Sequence, residues 1–386
     1  MNSSASVPRS DRTAFPQLFS PLAIGSLELP NRLAVAPMTR VSAEADGRAT
    51  PRMVGYYSSF AAGGFGLIVT EGIYTDKAFS QGYLFQPGLT DARQSDAWRA
   101  VVDAVHERGG RILAQLMHAG ALSQGNPHRE GTVGPSAVRP KGQQMEFYRG
   151  SGEYAVPRAI TAPDIAEAKD GFVQAARYAR DAGFDGIEIH GANGYLLDQF
   201  LSERINGRDD RYGGAVENRL RLTKEIVQAV RYAVGNDMVI GVRISQGKVN
   251  DCFHKWRGPE EAAEIFSALG RLPLDYIHTT EFEAWKSAFG DGASLASYAK
   301  AHSGRPVIAN GSLHDPLAAA GLIERGEADL VSLGRGALTH ADWPLRVLSG
   351  TSIAEFDRRI LAPLADLENA DRLREEILAA QSVAGV

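Results

Sequence analysis

The sequence predicts an α/β protein, a (β/α)8 TIM-type barrel with a lid subdomain inserted after the third strand. Eight short β-like runs recur along the chain, and a helical pattern follows each. Their apolar stretches, such as Leu67-Ile68-Val69 and Met238-Val239-Ile240, are continuous rather than alternating. Parallel strands covered by helices on both faces have that pattern, and eight βα units in one chain favour a closed barrel over a doubly wound sheet. No strand run leads into a Gly-x-Gly-x-x-Gly turn, which disfavours a dinucleotide-binding Rossmann fold.

The expected strands cover residues 32–37, 66–71, 111–117, 185–190, 238–244, 275–279, 306–310 and 329–333. Among the intervening helices, 164–182 carries Ile165, Phe172, Ala175, Ala176 and Ala179 at helical spacing and ends at Gly183. A second, 217–234, repeats the pattern with Leu220, Ile226, Val227 and Val230 and stops at Gly235. Pro259 and Pro316 stand where first-turn prolines are tolerated. The connection 118–163 is too long for a plain loop and is expected to form a lid over the barrel mouth. Within it, 145–148 and 153–156 flank Arg149-Gly-Ser-Gly152 and are expected to pair as a hairpin. Residues 1–14 are expected to be a disordered tail, 15–350 the barrel, and 351–386 a helical tail packing on it.

The bulk properties narrow the function. Of 386 residues, 44% are hydrophobic, enough for a large core, and the net charge of −5 is spread without a basic stripe for nucleic acid. No apolar run approaches the roughly 20 residues of a spanning helix, and the first residues lack a signal-peptide core. Cys252 is the only cysteine, so an intrachain disulfide and a cysteine-based zinc site are excluded. A cytoplasmic protein without nucleic-acid or membrane partners is expected.

In such barrels the chemistry sits at the C-terminal ends of the strands. Those ends carry Thr39, Glu71, Gln115, His118, His190, Arg243, Thr279, Thr280, Asn310 and Arg335. The segment Glu188-Ile-His-Gly-Ala-Asn-Gly-Tyr195 stands out. His190 and Asn193 are three residues apart, so a turn there lets both donate to one oxygen, and the Tyr195 hydroxyl follows. That is an outline of carbonyl activation. Asn310-Gly311-Ser312 and Gly334-Arg335 fall after the seventh and eighth strands, the frequent phosphate site of this fold. Either glycine alone is as readily a plain turn. Together they favour a phosphate-bearing cofactor, to which Arg335 adds a charge-assisted contact.

No metal site is expected, because neither His-x-His on the first strand nor His-Glu-x-x-His occurs. The sixth strand has no lysine for imine chemistry, Gly-x-Ser-x-Gly is absent, and His278 is expected to be a hydrogen-bonded strand-end histidine.

With these residues in view, the chain resembles the old yellow enzyme family of flavin-dependent ene-reductases from Leu18 to about Leu348. The ordered matches are Pro30-Asn-Arg-Leu-Ala-Val-Ala-Pro-Met-Thr39, Glu71-Gly72, Gln115-Leu-Met-His-Ala-Gly120, Glu188-Ile-His-Gly-Ala-Asn-Gly-Tyr195, Arg208-Asp-Asp-Arg-Tyr-Gly-Gly214 and Glu217-Asn-Arg219. The resemblance implies FMN as cofactor and NAD(P)H as reductant. Pro37, Met38 and Thr39 would contact the flavin ring, Gln115 its pyrimidine edge, and Arg243 its N1/O2 side. Asn310, Gly311, Ser312, Gly334 and Arg335 would hold the phosphate. His190 and Asn193 would bind the substrate carbonyl oxygen, and Tyr195 would donate the proton. The implied reaction reduces the C=C bond of an α,β-unsaturated carbonyl compound, with hydride from flavin N5 to the β-carbon and a proton to the α-carbon. A related flavin barrel dedicated to one biosynthetic intermediate is the alternative, and a flavin-free binding barrel is the non-enzymatic one. The partner is a small-molecule enone, the assembly a monomer or homodimer. Two positions depart from many members: Ala121 replaces an arginine, and Met117, expected to touch substrate, replaces a tryptophan of some. The loop 246–257 after the fifth strand is also unusual, and is expected to bring charge and an aromatic to the catalytic face.

Overall fold

The computed structural model describes residues 14–384. Nearly all of the expected N-terminal tail lies outside them. Eight parallel strands form the barrel: β1 Leu33–Val35, β2 Leu67–Val69, β3 Arg111–Met117, β4 Gly186–Asn193, β5 Val239–Lys248, β6 Tyr276–Thr280, β7 Val307–Asn310 and β8 Leu330–Leu333. Neighbours in sequence are neighbours in the sheet, β8 pairs with β1, and pairing of β2 with β3 completes the circle. A hairpin of Leu22–Ile24 and Leu27–Leu29 closes the N-terminal end. Ile24, Leu27 and Leu29 pack there on inward-facing Ala34, Leu67, Leu113, Val239 and Ile308.

The outer layer consists of α1 Pro51–Ala62, α2 Ala92–His106, α3 Ala162–Asp181, α4 Arg221–Val234, α5 Pro259–Gly270, α6 Leu295–Ser303, α7 Pro316–Glu324 and α8 Trp343–Ser349. Their starts follow from local chemistry. Thr161 and Asp164 form a reciprocal capping box at α3, and Asp91 caps α2 through the Gln94 N–H. On α3, Phe172, Ala175, Ala176 and Ala179 are fully buried, the apolar stripe a barrel-facing helix requires. The expected helix 217–234 is interrupted at Leu220, giving a short helix Val216–Arg219 before α4.

Two strands overrun the sequence expectation. β4 continues to Asn193 and β5 to Lys248, and they stay paired beyond the rim. Between Ile244 and Lys248 the register shifts, so that four residues of β5 match two of β4, from Gly191 to Asn193.

The segment 118–163 contains a short parallel pair, Val133–Gly134 with Arg158–Ala159. The hairpin expected at 145–156 is not formed as two strands. One antiparallel bridge joins Gln143 to Glu153, and Glu146–Tyr148 is a 3-10 turn ending at Arg149 in the left-handed region, φ +64. The Gln124 amide explains this. It accepts from the Met145 N–H at 3.0 Å and donates to the carbonyls of Met145 and Tyr148, satisfying groups a partner strand would otherwise take.

The C-terminal helix α9, Leu367–Ala384, is preceded by a segment that bridges barrel and lid. The Ala365 N–H donates to the Phe147 carbonyl at 2.9 Å, and Arg149 pairs with Asp366. The Leu367 N–H donates to Ser42 Oγ after β1. Among the described residues, no helix is long and apolar enough to cross a membrane, and no three His, Cys, Asp or Glu side chains are grouped to hold a metal.

Candidate active site

A cavity of about 490 Å³ opens at the C-terminal ends of the strands, within the size range of small-molecule sites. Pro37, Met38, Thr39, Gln115, Met117, His190, Asn193, Tyr195, Arg243, Asn310, Gly311, Ser312, Gly334 and Arg335 all line it. Glu71, His118, Thr279 and Thr280, the other strand-end candidates, do not.

The floor is a buried hydrogen-bond network linking most of the strands. Glu188 on β4 accepts from Gln115 Nε2 at 2.8 Å, Tyr276 OH at 3.0 Å and His278 Nδ1 at 2.8 Å. His278 Nε2 lies 2.8 Å from Ser332 Oγ, so both ring nitrogens are satisfied, as the sequence suggested for this histidine. Burial holds His278 below the usual imidazole range, so it is neutral and donates through Nδ1. Burial alone would raise Glu188. Its electrostatic and hydrogen-bonded pairing with His278, then the Arg243 charge and the Gln115 hydrogen bond, outweigh it and hold the carboxyl below the usual range. With Nε2 committed to Glu188, the Gln115 amide is fixed, and Oε1 is left to accept.

Arg243 on β5 donates from Nη2 to Asn310 Oδ1 at 2.8 Å, while its buried Nε has no partner. Asn310 in turn accepts from Thr280 Oγ1 and donates to the Ser332 carbonyl. A fixed cation with an unsatisfied buried N–H, beside a free amide oxygen, suits a planar polar ring with acceptors and a donor on one edge.

At the other end, Gly311 has φ +145, and a Cβ there would meet the Glu281 carbonyl oxygen at 2.3 Å, so only glycine fits. Ser312, at φ +52, donates from Oγ to the Phe282 carbonyl and accepts from Arg335 Nη2 at 2.6 Å. Arg335 also lies over the Phe282 ring, 5.7 Å from its centroid. A hydroxyl and a guanidinium beside two glycine-bearing loops suit an anionic group.

The third wall is the end of β4 and the turn that follows it. His190 is buried and its Nδ1 has no partner; burial and then the Arg243 charge bring its pKa down to about 3, so the ring is neutral. Asn193 takes the left-handed conformation, φ +62, and its N–H donates to Ser245 Oγ at 2.8 Å. Tyr195 packs edge-on to His190, ring centroids 5.0 Å apart. Its hydroxyl lies 2.6 Å from that of Tyr83, and burial pushes its pKa well above the usual tyrosine value.

Several lining residues were not sequence candidates. Met145, Phe147 and Tyr148 come from the lid, Val249 from the loop after β5, Phe282 from the loop after β6 and Leu361 from the C-terminal segment. Tyr148 donates to the Thr39 carbonyl at 3.2 Å and packs on Tyr83, tying lid to barrel. The lid's placement after β3 was a signal for the first three; Tyr83 carried none.

Two strand-end groups act beneath the cavity. The Glu71 carboxylate accepts from the Arg40 and Val41 N–H groups, bracing the chain just after Thr39 where Val41 has φ +39. His118 Nδ1 accepts from the Gly120 N–H. The loop 246–257 brings charge, since Lys255 pairs with cavity-lining Glu281 at 3.0 Å, but neither of its aromatics lines the cavity. Trp256 is buried against Phe266 of α5 rather than facing the cavity, because α5 offers it an apolar bed. Lys248 is buried in an ion pair, and Val249 is the member that reaches the cavity.

Comparison with known proteins agrees with this architecture. The profile of the NADH:flavin oxidoreductase / NADH oxidase family matches residues 17–353. The chain is 34% identical to an NADH oxidase of Thermoanaerobacter brockii over 88% of its own length, and spans about half, 52%, of that longer protein. It is 35% identical to a probable flavin mononucleotide-dependent alkene reductase of Leishmania infantum, with 88% of this chain and 92% of the relative covered. The solved structure of the old yellow enzyme homologue from Zymomonas mobilis superimposes with a TM-score of 0.82 at 31% identity, over 90% of this chain and 96% of that one. The barrel, the cavity at its mouth and these matches make the chain a member of the NADH:flavin oxidoreductase / NADH oxidase family, the old yellow enzymes, and an NAD(P)H-dependent FMN oxidoreductase.

Proposed function

We propose that this flavin oxidoreductase reduces the activated C=C bond of α,β-unsaturated carbonyl compounds. The observation that carries the reading is the convergence on one cavity of a neutral buried His190, Asn193 and a protonated Tyr195 with Arg243 and Gln115. The alkene reductase of Leishmania infantum supports it.

The residues present fit FMN. Pro37, Met38 and Thr39 would lie against the ring, Gln115 Oε1 would accept from its pyrimidine N–H, and the unpartnered Arg243 Nε would donate to its electron-rich side. Asn310, Gly311, Ser312, Gly334 and Arg335 would hold the phosphate. Bound FMN supplies the hydride chemistry between NAD(P)H and the alkene, and the protein tunes and positions it.

The end of β4 and the turn after it do the rest. His190 and Asn193 donate to the substrate carbonyl oxygen, where negative charge builds as the β-carbon is reduced. Each such donor lowers the barrier by about 3–4 kcal/mol. His190 gives an N–H without itself ionising. Tyr195 keeps its proton until the carbanion-like α-carbon develops, because burial disfavours the tyrosinate. Met117, Met145, Phe147 and Tyr148 provide an apolar surround that excludes water and accepts a hydrocarbon body.

Anaerobic incubation of the holoenzyme with NADPH and 2-cyclohexen-1-one, followed by product analysis, tests the reading. Cyclohexanone is expected in step with NADPH oxidation. Flavin reduction without any enone product, across a panel of enones and nitroalkenes, would reject it in favour of a dedicated substrate.

A further inference from the structure

The loop after β5 gives the cavity little more than Val249, yet the last residue of β5 itself, Lys248, forms the most deeply buried lysine–carboxylate pair among the described residues. Lys248 Nζ donates to both carboxylate oxygens of Asp198 at 2.8 Å, with the two side chains 1% and 0% exposed. The pair lies directly beneath the turn after β4. Asp198 Oδ2 also accepts the Gly194 N–H at 2.5 Å, and Lys248 is the backbone partner of Asn193 beyond the register shift. Asn193 and Gly194 both have positive φ, +62 and +88. A Cβ on Gly194 would meet Asn250, Leu122 and Lys248 at 3.0 to 3.1 Å, so the turn is seated without slack on this loop.

Gly194 takes its positive φ freely, but the left-handed conformation of Asn193 costs energy and persists where surroundings over-determine it. Here a carboxylate fixed by an ammonium group grips the amide between Asn193 and Tyr195. We propose that the Lys248–Asp198 pair is the positioning device of the substrate-binding turn, setting where the Asn193 amide and the Tyr195 hydroxyl meet the substrate. The proposal rests on the roles given to Asn193 and Tyr195 above. Lys248 and Asp198 touch neither substrate nor cofactor; they act through the turn.

Replacing Lys248 alone strands a buried carboxylate and threatens folding. The informative variant is therefore K248M/D198N, which removes both charges and leaves an amide oxygen for Gly194. The holoenzyme is reduced with dithionite, so that nicotinamide binding plays no part, and mixed anaerobically with 2-cyclohexen-1-one. Reoxidation in K248M/D198N is expected to slow about tenfold or more, since small misplacements of positioning groups are costly. Flavin content and midpoint potential should stay at wild-type values. Amide exchange in 191–197 should accelerate to a similar degree. Reoxidation within about twofold of wild type, or a lowered Tm with an unchanged rate per bound flavin, would overturn the proposal. H190A/N193A serves as the control. If that variant also reoxidises at the wild-type rate, the failure lies with the proposed function, not with the positioning pair.

Discussion

The hydroxyl of Tyr195 lies 2.6 Å from the hydroxyl of Tyr83, and both rings are buried. One of the two must donate to the other, so Tyr83 sets the direction in which the Tyr195 proton points. Tyr195→Phe is expected to slow enone-driven reoxidation about a hundredfold, the scale of a general acid, and to leave flavin reduction by NADPH nearly unchanged. Tyr83→Phe removes one neutral hydrogen bond and should cost about three- to tenfold on the same step. Stopped-flow traces of the two half-reactions check both; unaltered oxidative kinetics in Tyr195→Phe would require another proton donor.

Phosphate binding rests on Ser312, Arg335 and the shape of Gly311. Loss of a charged hydrogen bond is worth about 1.5–3 kcal/mol. Arg335→Ala is therefore expected to weaken FMN about tenfold or more and to leave riboflavin affinity unchanged. Gly311→Ala should weaken FMN further, because its Cβ would collide with the Glu281 carbonyl. Fluorescence titrations with the two flavins separate a phosphate effect from a general loss of the site.

Arg243 is a fixed charge beside the place assigned to the electron-rich flavin edge. Arg243→Met removes stabilisation of the reduced, anionic cofactor. A loss of about 1.5–3 kcal/mol corresponds to a midpoint potential lower by roughly 30–65 mV for a two-electron couple. Spectroelectrochemical titration checks this, and an unshifted potential would remove Arg243 from that role.

Acid sensitivity follows from buried imidazoles. His254, whose Nδ1 lies 3.1 Å from the Gln246 carbonyl and whose Nε2 lies 3.1 Å from Ser202 Oγ, is lowered to about 4 by burial and then by the Lys248 charge. An unfolded histidine titrates near about 6.5. Between those values the unfolded chain binds more protons than the folded one, so stability rises with pH and is lost as pH falls from about 6.5 toward about 4. Tm is expected to fall across that window, and His254→Asn should flatten part of the slope. An unchanged slope in the variant would count against a neutral His254.

Most of the barrel was legible because its strands are continuous apolar runs and its helices stop at Gly183 and Gly235. Gln115, His190, Arg243 and Asn310 were legible because barrel chemistry gathers where strands end, and Pro37 through the family resemblance. What the sequence hid was set by partners far along the chain. The 145–148 stretch forms a 3-10 turn because Gln124, 21 residues before Met145, supplies its hydrogen bonds. Tyr83 meets Tyr195 across 112 residues, from a connection with no periodic pattern. Lys248 reaches Asp198 across 50 residues, and the overrun of β4 and β5 that allows it is polar rather than apolar. An aromatic of the loop 246–257 was expected at the catalytic face because the loop follows a strand end, but for Trp256 burial against Phe266 wins for so large an apolar ring.

His190 and Asn193 are assigned to activate the substrate carbonyl. The most direct measurement of that role is the anaerobic reoxidation rate of the reduced flavin by 2-cyclohexen-1-one in wild type and in H190A/N193A, with flavin content determined for both. A fall of about a hundredfold or more is expected in the variant, the scale of losing oxyanion donors, with FMN still bound. Reoxidation at the wild-type rate in a flavin-replete H190A/N193A enzyme would contradict that role.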